Sequence, residues 1–249
     1  MAAPFQRRAP SFIMPASFLK RAARMEIKIA QGHNPPHNIN GITVVIDVIR
    51  AFTTSHEAFV GGASHIYPVS TADDAFALRQ DYPQGLLVGE IEALPIEGFD
   101  HGNSPWEIRH TDVRGRYLIM RTTNGVAATL RARDSRQVLV AALINARATA
   151  RYILEKAPAT VVLVASHPTG DEDVACAEYI KTLLGGDGIT LEEARDRTLN
   201  ALAARKFLDG RHPRLRPQDI EMAASDAGDQ GLVMGVSYEP VPRIDVIHG

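Results

Sequence analysis

The chain of 249 residues contains one cysteine, Cys176, and one tryptophan, and aromatic residues make up 6% of it. A lone cysteine excludes an intramolecular disulfide, and no Cys and His cluster has zinc-finger spacing, so the sequence fits a reducing, cytoplasmic compartment. Long apolar runs are missing too. Stretches such as Ile42 to Ile46 and Val161 to Ala165 fall far short of the roughly 18 residues that a membrane span needs. Neither sign of charge prevails: 27 basic against 29 acidic residues leave a net charge of −2. No global positive field therefore exists to hold nucleic acid or an anionic membrane, and any anion must be bound locally. With 19 glycines and 15 prolines the chain is not low-complexity, and 45% apolar residues suffice for a core.

Several familiar motifs are also absent. No G-x-G-x-x-G follows a strand and no G-x-x-x-x-G-K-[ST] occurs, so nucleotide binding has no support. The hydrolase elbow G-x-S-x-G is missing. No arginine closes a phosphate loop around Cys176, and neither Arg109-His110 nor Arg211-His212 continues into glycine. Cys176, on an apolar helix face, reads as small core filler.

What is present begins with a distinct N-terminal segment. Residues 1–24 carry Arg7, Arg8, Lys20, Arg21 and Arg24 and no acid, and read as a disordered tail or an over-extended start more readily than as a targeting segment. Met25 then opens a strand. From Ile42 onward, runs rich in Val, Ile and Leu alternate with amphipathic stretches, the pattern of βα units around a largely parallel sheet. Strands are expected at Ile42 to Val48, His65 to Val69, Gly85 to Gly89, Tyr117 to Thr122, Gln137 to Ala141, Thr160 to Ala165 and Ile244 to Ile247. Helices are expected at Thr71 to Asp81, from the Thr190 and Glu193 capping box to about Leu208, and at Asp219 to Asp229. No linker divides residues 25–249, which read as one α/β domain, although the helical section from Glu172 to Gly231 has the look of a subdomain.

Polar residues gather where the apolar strands end, and in open α/β sheets ligands collect at the carboxyl ends of strands. Asp47 and Arg50 follow the first core strand, suited to a metal and an anion or, as plain scaffold, to an ion pair beside a helix cap. Gly89-Glu90 ends another strand. The loop Gly98 to Pro105 brings Asn103 among glycines, with Ser104, Pro105 and Glu107 reading as N-cap, first helical position and capping-box acid. Thr122, Thr123, Asn124 and Gly125 precede a helix, where hydroxyls and free N–H groups bind an anion or merely cap. Asp171, Glu172 and Asp173 open a further helix, either as hard oxygen ligands for Mg²⁺ or as first-turn acids that complement the helix dipole.

No single motif is specific, but the succession Asp47-Val-Ile-Arg50-Ala, Gly89-Glu90, Gly98-Phe-Asp-His-Gly-Asn-Ser-Pro105, Thr122-Thr-Asn-Gly125, Asn145 and Glu172-Asp173-x-x-Cys176-Ala177 resembles the 2-phosphosulfolactate phosphatase family. The resemblance covers roughly Ile42 to Leu184 and, weakly, the C-terminal part. It implies a three-layer α/β/α sandwich with a largely parallel or mixed sheet, and a Mg²⁺-dependent phosphatase. The substrate so implied is a small phosphorylated acid, (R)-2-phospho-3-sulfolactate, in coenzyme M synthesis; a homo-oligomer is compatible with it. Departures exist: Ile91 stands where the family reads Arg after Gly-Glu, Glu178 where it reads Gly, and Met234-Gly235 where it reads Cys-Ala.

On this reading Asp47, Arg50 and Glu90 are catalytic, and Asn103, Thr122, Thr123, Asn124 and Gly125 bind substrate. Asp47, Glu172 and Asp173 hold the metal, and Mg²⁺ offsets phosphoryl charge while water or a carboxylate acts as nucleophile. An aspartyl-phosphate route through Asp47 lacks its second acid, because Ile49 stands two positions on. From a different class, the same pocket suits a noncatalytic binder of a small anion.

Overall fold

The computed structural model describes residues 25–247; the segment 1–24 lies outside them. Its strands are β1 (Glu26–Gln31), β2 (Ile42–Ile46), β3 (His65–Pro68), β4 (Leu86–Ile91), β5 (Leu94–Pro95), β6 (Tyr117–Arg121), β7 (Gln137–Ala141), β8 (Thr160–Ala165), β9 (Met234–Ser237) and β10 (Arg243–Val246). The α-helices are α1 (Ala51–Val60), α2 (Ala72–Asp81), α3 (Pro105–Arg109), α4 (Gly125–Arg131), α5 (Ala146–Lys156), α6 (Asp171–Leu183), α7 (Leu191–Asn200), α8 (Leu202–Leu208) and α9 (Pro217–Ala223). Among the described residues no helix is long and apolar enough to cross a membrane.

The strands form one mixed sheet in the order β1-β8-β2-β7-β9-β10-β3-β6-β4-β5. Two parallel blocks, β1-β8-β2-β7 and β3-β6-β4, are joined by the antiparallel pair β9-β10, and β5 adds an antiparallel turn-back on β4. The core strands are buried on both faces, as parallel strands covered by helices must be. Their side chains alternate: Ile42, Val44 and Ile46 of β2 pack with α5 and α6 on one side, and Val45 packs with Phe52 and Phe59 of α1 on the other. In the second block Leu87 of β4 and Ile119 of β6 pack beside α2, while Leu86, Val88, Leu118 and Met120 join the core around α1. The molecule is thus an α/β sandwich with a mixed, largely parallel sheet.

The sheet is strongly curled. Four strands lie between β2 and β6, roughly 24 Å along a flat sheet at about 4.8 Å per strand. Yet Asp47, just after β2, accepts a hydrogen bond from the Gly125 N–H, just after β6, at 2.9 Å. The two blocks therefore wrap toward each other across α1, and every residue of that helix from Ala51 to Phe59 is buried.

Some boundaries differ from the sequence expectation, each for a local reason. Strand β2 stops at Ile46 because the Asp47 carboxylate takes the Ala51 N–H and turns the chain into α1. The single helix expected to run to Leu208 is two, since Ala201 adopts an extended ψ of 146° between α7 and α8. The helix expected from Asp219 begins at Pro217, in the first-turn position that suits proline, and ends at Ala223. Ser104 does cap α3 by accepting from the Glu107 N–H at 3.2 Å, but the Glu107 carboxylate faces Arg216 instead of closing a capping box. Cys176 is buried in the core beneath α6.

Candidate active site

A cleft of about 170 Å³ opens at the carboxyl ends of the parallel strands. Asp47 and Arg50 reach it from the end of β2, Glu90, Glu92 and Ala93 from the end of β4, Asn103 from the loop before α3, Thr123 and Asn124 from the end of β6, and His167 from the end of β8. Ala203, Lys206 and Phe207 of α8 close it from the helical section. The space is below the 300 to 1,000 Å³ typical of sites for drug-sized ligands, so the cleft suits a small molecule.

Asp47 is the joint between the two halves of the sheet. Its Oδ1 accepts from the Ala51 N–H and its Oδ2 from the Gly125 N–H, each at 2.9 Å, so one carboxylate caps the starts of α1 and α4. A side chain at position 125 would place its Cβ 2.6 Å from Oδ2, which is why glycine stands there. Burial pushes the Asp47 pKa up to about 6 against those two N–H bonds, and the nearby Glu90 charge adds to the rise.

The three carboxylates expected to hold metal do not share one role. Asp173 is fully used in structure: Oδ1 accepts from the Val48 N–H at 2.8 Å, and Oδ2 from the Ser166 hydroxyl and the His167 N–H. It joins the turn after β2 to the turn after β8, and burial, with Asp47 and Glu172 nearby, holds its pKa well above the usual range. Glu172 differs: its Oε2 is buried without a hydrogen-bond partner among the described residues. Burial, then the Asp47 and Asp171 charges, raise its pKa to about 7, while Lys206 opposes the rise. No three His, Cys, Asp or Glu side chains among the described residues converge closely enough to hold a metal by themselves.

Arg50 is not paired with Asp47. Its Nη1 donates to Asp219 Oδ2 at 2.7 Å and its Nη2 to the Ala93 carbonyl at 2.9 Å, and its guanidinium lies 4.5 Å from the centre of the Phe207 ring. Asp219, fully buried, also accepts from the Ser104 hydroxyl at 2.6 Å. The fork expected to clamp an anion is thus partly committed to binding the helical section to the sheet.

The anion cradle expected from residues 122 to 125 is likewise mostly spent. The Gly125 N–H goes to Asp47, the Thr123 N–H to Glu90 Oε1 at 2.7 Å, and the Val126 N–H to the buried Thr122 hydroxyl. Thr122 and Gly125 support the wall from behind, leaving Thr123 and Asn124 to line the cleft, with the Thr123 hydroxyl accepting from Arg121 at 3.3 Å. Glu90 positions a second turn with its other oxygen, which accepts from the Ala93 N–H at 2.6 Å. That turn places Glu92 and Ala93 at φ of 54° and 71°, a left-handed conformation that L residues adopt only when the surroundings impose it. Asn103 is buried with its Oδ1 unpartnered, at the edge of the same space.

His167, Lys206, Phe207 and Asp219 are not among the residues that the sequence singles out. His167 has a signal in its place directly after a core strand. The other three have none, because their approach depends on the break at Ala201 and on how α8 and α9 fold back over the sheet. Lys206, exposed at the cleft wall, makes no ion pair with a described residue, and partial desolvation lowers its pKa against the pull of Glu90.

A sequence profile of the family described as 2-phosphosulpholactate phosphatase matches residues 29–214. The chain belongs to the 2-phosphosulfolactate phosphatase family. The matched span holds every residue named along the cleft, and Asp219 lies just beyond it. A protein of Bacillus subtilis (strain 168) named "Probable 2-phosphosulfolactate phosphatase" is 42% identical over 226 residues, 89% of this chain and 98% of that protein. Relatives of the same name in Deinococcus radiodurans and Synechocystis sp. are 40% and 34% identical, over 60% and 67% of this chain and 64% and 71% of their own lengths. This membership in the 2-phosphosulfolactate phosphatase family agrees with a small cleft rich in carboxylates and amides.

Proposed function

We propose that the protein is a Mg²⁺-dependent phosphatase that hydrolyses the phosphate ester of a small acidic hydroxy acid, with (R)-2-phospho-3-sulfolactate as substrate and 3-sulfolactate and phosphate as products. The observation that carries this reading is the unpartnered, buried Glu172 oxygen, its carboxyl raised in pKa partly by the charge of Asp47 on the cleft wall. Two buried carboxylates that repel one another fit a hard divalent cation, and Mg²⁺ commonly takes one or two carboxylates with water and substrate oxygens completing its shell. Asp47 and Glu172 would hold it. When bound, Mg²⁺ supplies charge neutralisation for the phosphoryl oxygens.

The chain's own groups do the positioning. The Ala51 and Gly125 N–H groups fix both Asp47 oxygens, so the carboxylate meets its ligand without reorganising. Asn103, the Thr123 hydroxyl and Asn124 supply neutral donors around the phosphoryl group. The remaining N–H groups of Arg50 add a fixed positive charge, anchored by Asp219. Glu90 holds two turns of the rim in place.

Phosphate release from 2-phosphosulfolactate and from a panel of small phosphate esters, with Mg²⁺ and after chelation, tests the reading. Turnover that requires Mg²⁺ is expected. Full turnover after exhaustive chelation overturns the metal assignment, and ligand binding without phosphate release from any ester makes the protein an anion binder on this scaffold.

The carboxylate pair also sets an expected pH response of stability. The folded-state values of about 6 for Asp47 and about 7 for Glu172 lie above the ordinary 3.8 and 4.5. The folded protein therefore holds these protons more tightly than the unfolded chain, and the stability this provides is present at low pH and is lost as pH rises through about 7. In chelator, the unfolding free energy should fall by about 4 kcal/mol between pH 5 and pH 8 from this pair, each tenfold difference in proton affinity between the folded and unfolded chain being worth about 1.4 kcal/mol. Mg²⁺ should recover the loss at pH 8 and do little at pH 5. Urea titrations in the two conditions measure it; a pH 8 midpoint indifferent to Mg²⁺ counts against the site.

A further inference from the structure

Two cationic side chains line the cleft, Arg50 and Lys206, and they differ in what holds them. The charge of Arg50 is balanced by buried Asp219 at 2.7 Å. Lys206 lines the cleft from α8 beside Ala203 and Phe207, is exposed, and forms no ion pair with any described residue; its Nζ lies 5.8 Å from the centre of the Phe207 ring. The neighbouring acid Glu90 is already occupied, both of its oxygens accepting backbone N–H bonds. Lys206 therefore holds the uncommitted positive charge of this wall, and it enters from the helical section, whereas Asp47, Thr123 and Asn124 enter from the strand ends.

An ammonium on the cleft wall with no ion pair is free to make a charge-assisted contact with an anionic group of the ligand, at no loss of an existing pair. In the proposed phosphatase site the phosphoryl group is met on the strand-end wall, by Asn103, Thr123 and Asn124. We infer that Lys206 receives a second anionic group of the substrate, remote from the phosphoryl group, and so selects phosphate esters of dianionic acids over those of simpler hydroxy acids. The inference rests on the proposed phosphatase site. It assigns to Lys206 a specificity role, with Phe207 and Ala203 as the apolar surface beside the contact. A sulfonate and a carboxylate share the required chemistry.

Calorimetric binding of three dephosphorylated acids tests this without relying on turnover. Lactate has one acidic group, malate adds a carboxylate, and 3-sulfolactate adds a sulfonate at the same position. The wild-type protein is expected to bind malate or 3-sulfolactate at least about tenfold more tightly than lactate, the worth of one well-placed charge contact. Lys206→Met should erase that preference, Lys206→Gln should do the same if the Met variant does not fold, and Lys206→Arg should retain most of it. Which of the two dianions gains more separates a sulfonate site from a carboxylate site. A preference that survives in Lys206→Met or Lys206→Gln, or is absent from the wild type, overturns the assignment, since a lysine that only neutralises Glu90 and Glu92 would affect the three acids alike. Phosphate release measured alongside keeps the two readings apart: the full binding pattern with no hydrolysis of any ester would defeat the phosphatase and leave the Lys206 contact standing.

Discussion

Asp47→Asn is expected to lower kcat/KM for phosphate release by about 10³-fold or more while the protein remains folded. The loss follows from removing one of the two carboxylates that would hold Mg²⁺, at the point where transition-state charge is offset. The stability balance follows from the two N–H bonds. An amide keeps one of them through its oxygen but turns a donor toward the other N–H, a loss of about 1 to 3 kcal/mol. Against that, the variant no longer ionises a buried group whose pKa stands near 6, which at pH 8 recovers a comparable amount. Steady-state kinetics beside a urea midpoint at pH 8 decide the matter. Activity within tenfold of the wild type would make Asp47 a helix cap and nothing more.

Arg50→Ala should destabilise the protein by about 3 to 5 kcal/mol, the range for stranding one member of a buried ion pair. Asp219 would keep the Ser104 hydroxyl at 2.6 Å and the Trp106 N–H at 3.2 Å but lose its cation. Arg50→Lys keeps the charge yet cannot reach Asp219 and the Ala93 carbonyl together, so an intermediate loss of about 1 to 2 kcal/mol is expected with the rim turn loosened. From sequence alone, a clamping Arg50 would change turnover and leave folding untouched; the Asp219 contact couples the two. Pairing Arg50→Ala with Asp219→Asn in a double-mutant cycle isolates the coupling, and a value near zero would remove the ion pair from the account of the wall.

The strand ends were legible because apolar strands buried on both faces are short, continuous and bounded by polar residues. Asp47, Glu90 and Thr123 arrive in the cleft by that rule, and Asn103 from the polar loop Gly98 to Pro105. Contacts made by folding segments over one another were not legible. Nothing around Asn200 and Ala201 announces that the chain breaks there, so Lys206 and Phe207 gave no hint of the cleft. Glu172 and Asp173 are adjacent in sequence and identical in formal charge; only tertiary neighbours make one a brace and leave the other with an idle oxygen. The Thr122 to Gly125 turn has the composition of an anion nest, but Asp47 and Glu90 reach its N–H groups from other strands, which no local pattern reveals.

The pair β9-β10 gives the curled sheet a further meaning. These last described strands insert between β7 and β3, pairing residues such as Ile244 and Ile66 that lie far apart along the chain. Until they are made, the two parallel blocks have no shared edge, and β7 and β3 each present an open row of N–H and C=O groups, the kind of edge that recruits other chains. Asp47 and Gly125 are then held face to face by their own hydrogen bond and the packing around α1, without a continuous sheet behind them. During synthesis the candidate site is thus a late event: nearly all its side chains exist before the strands that complete the sheet around them, and a chain stopped short of residue 234 would carry those side chains without the enclosure.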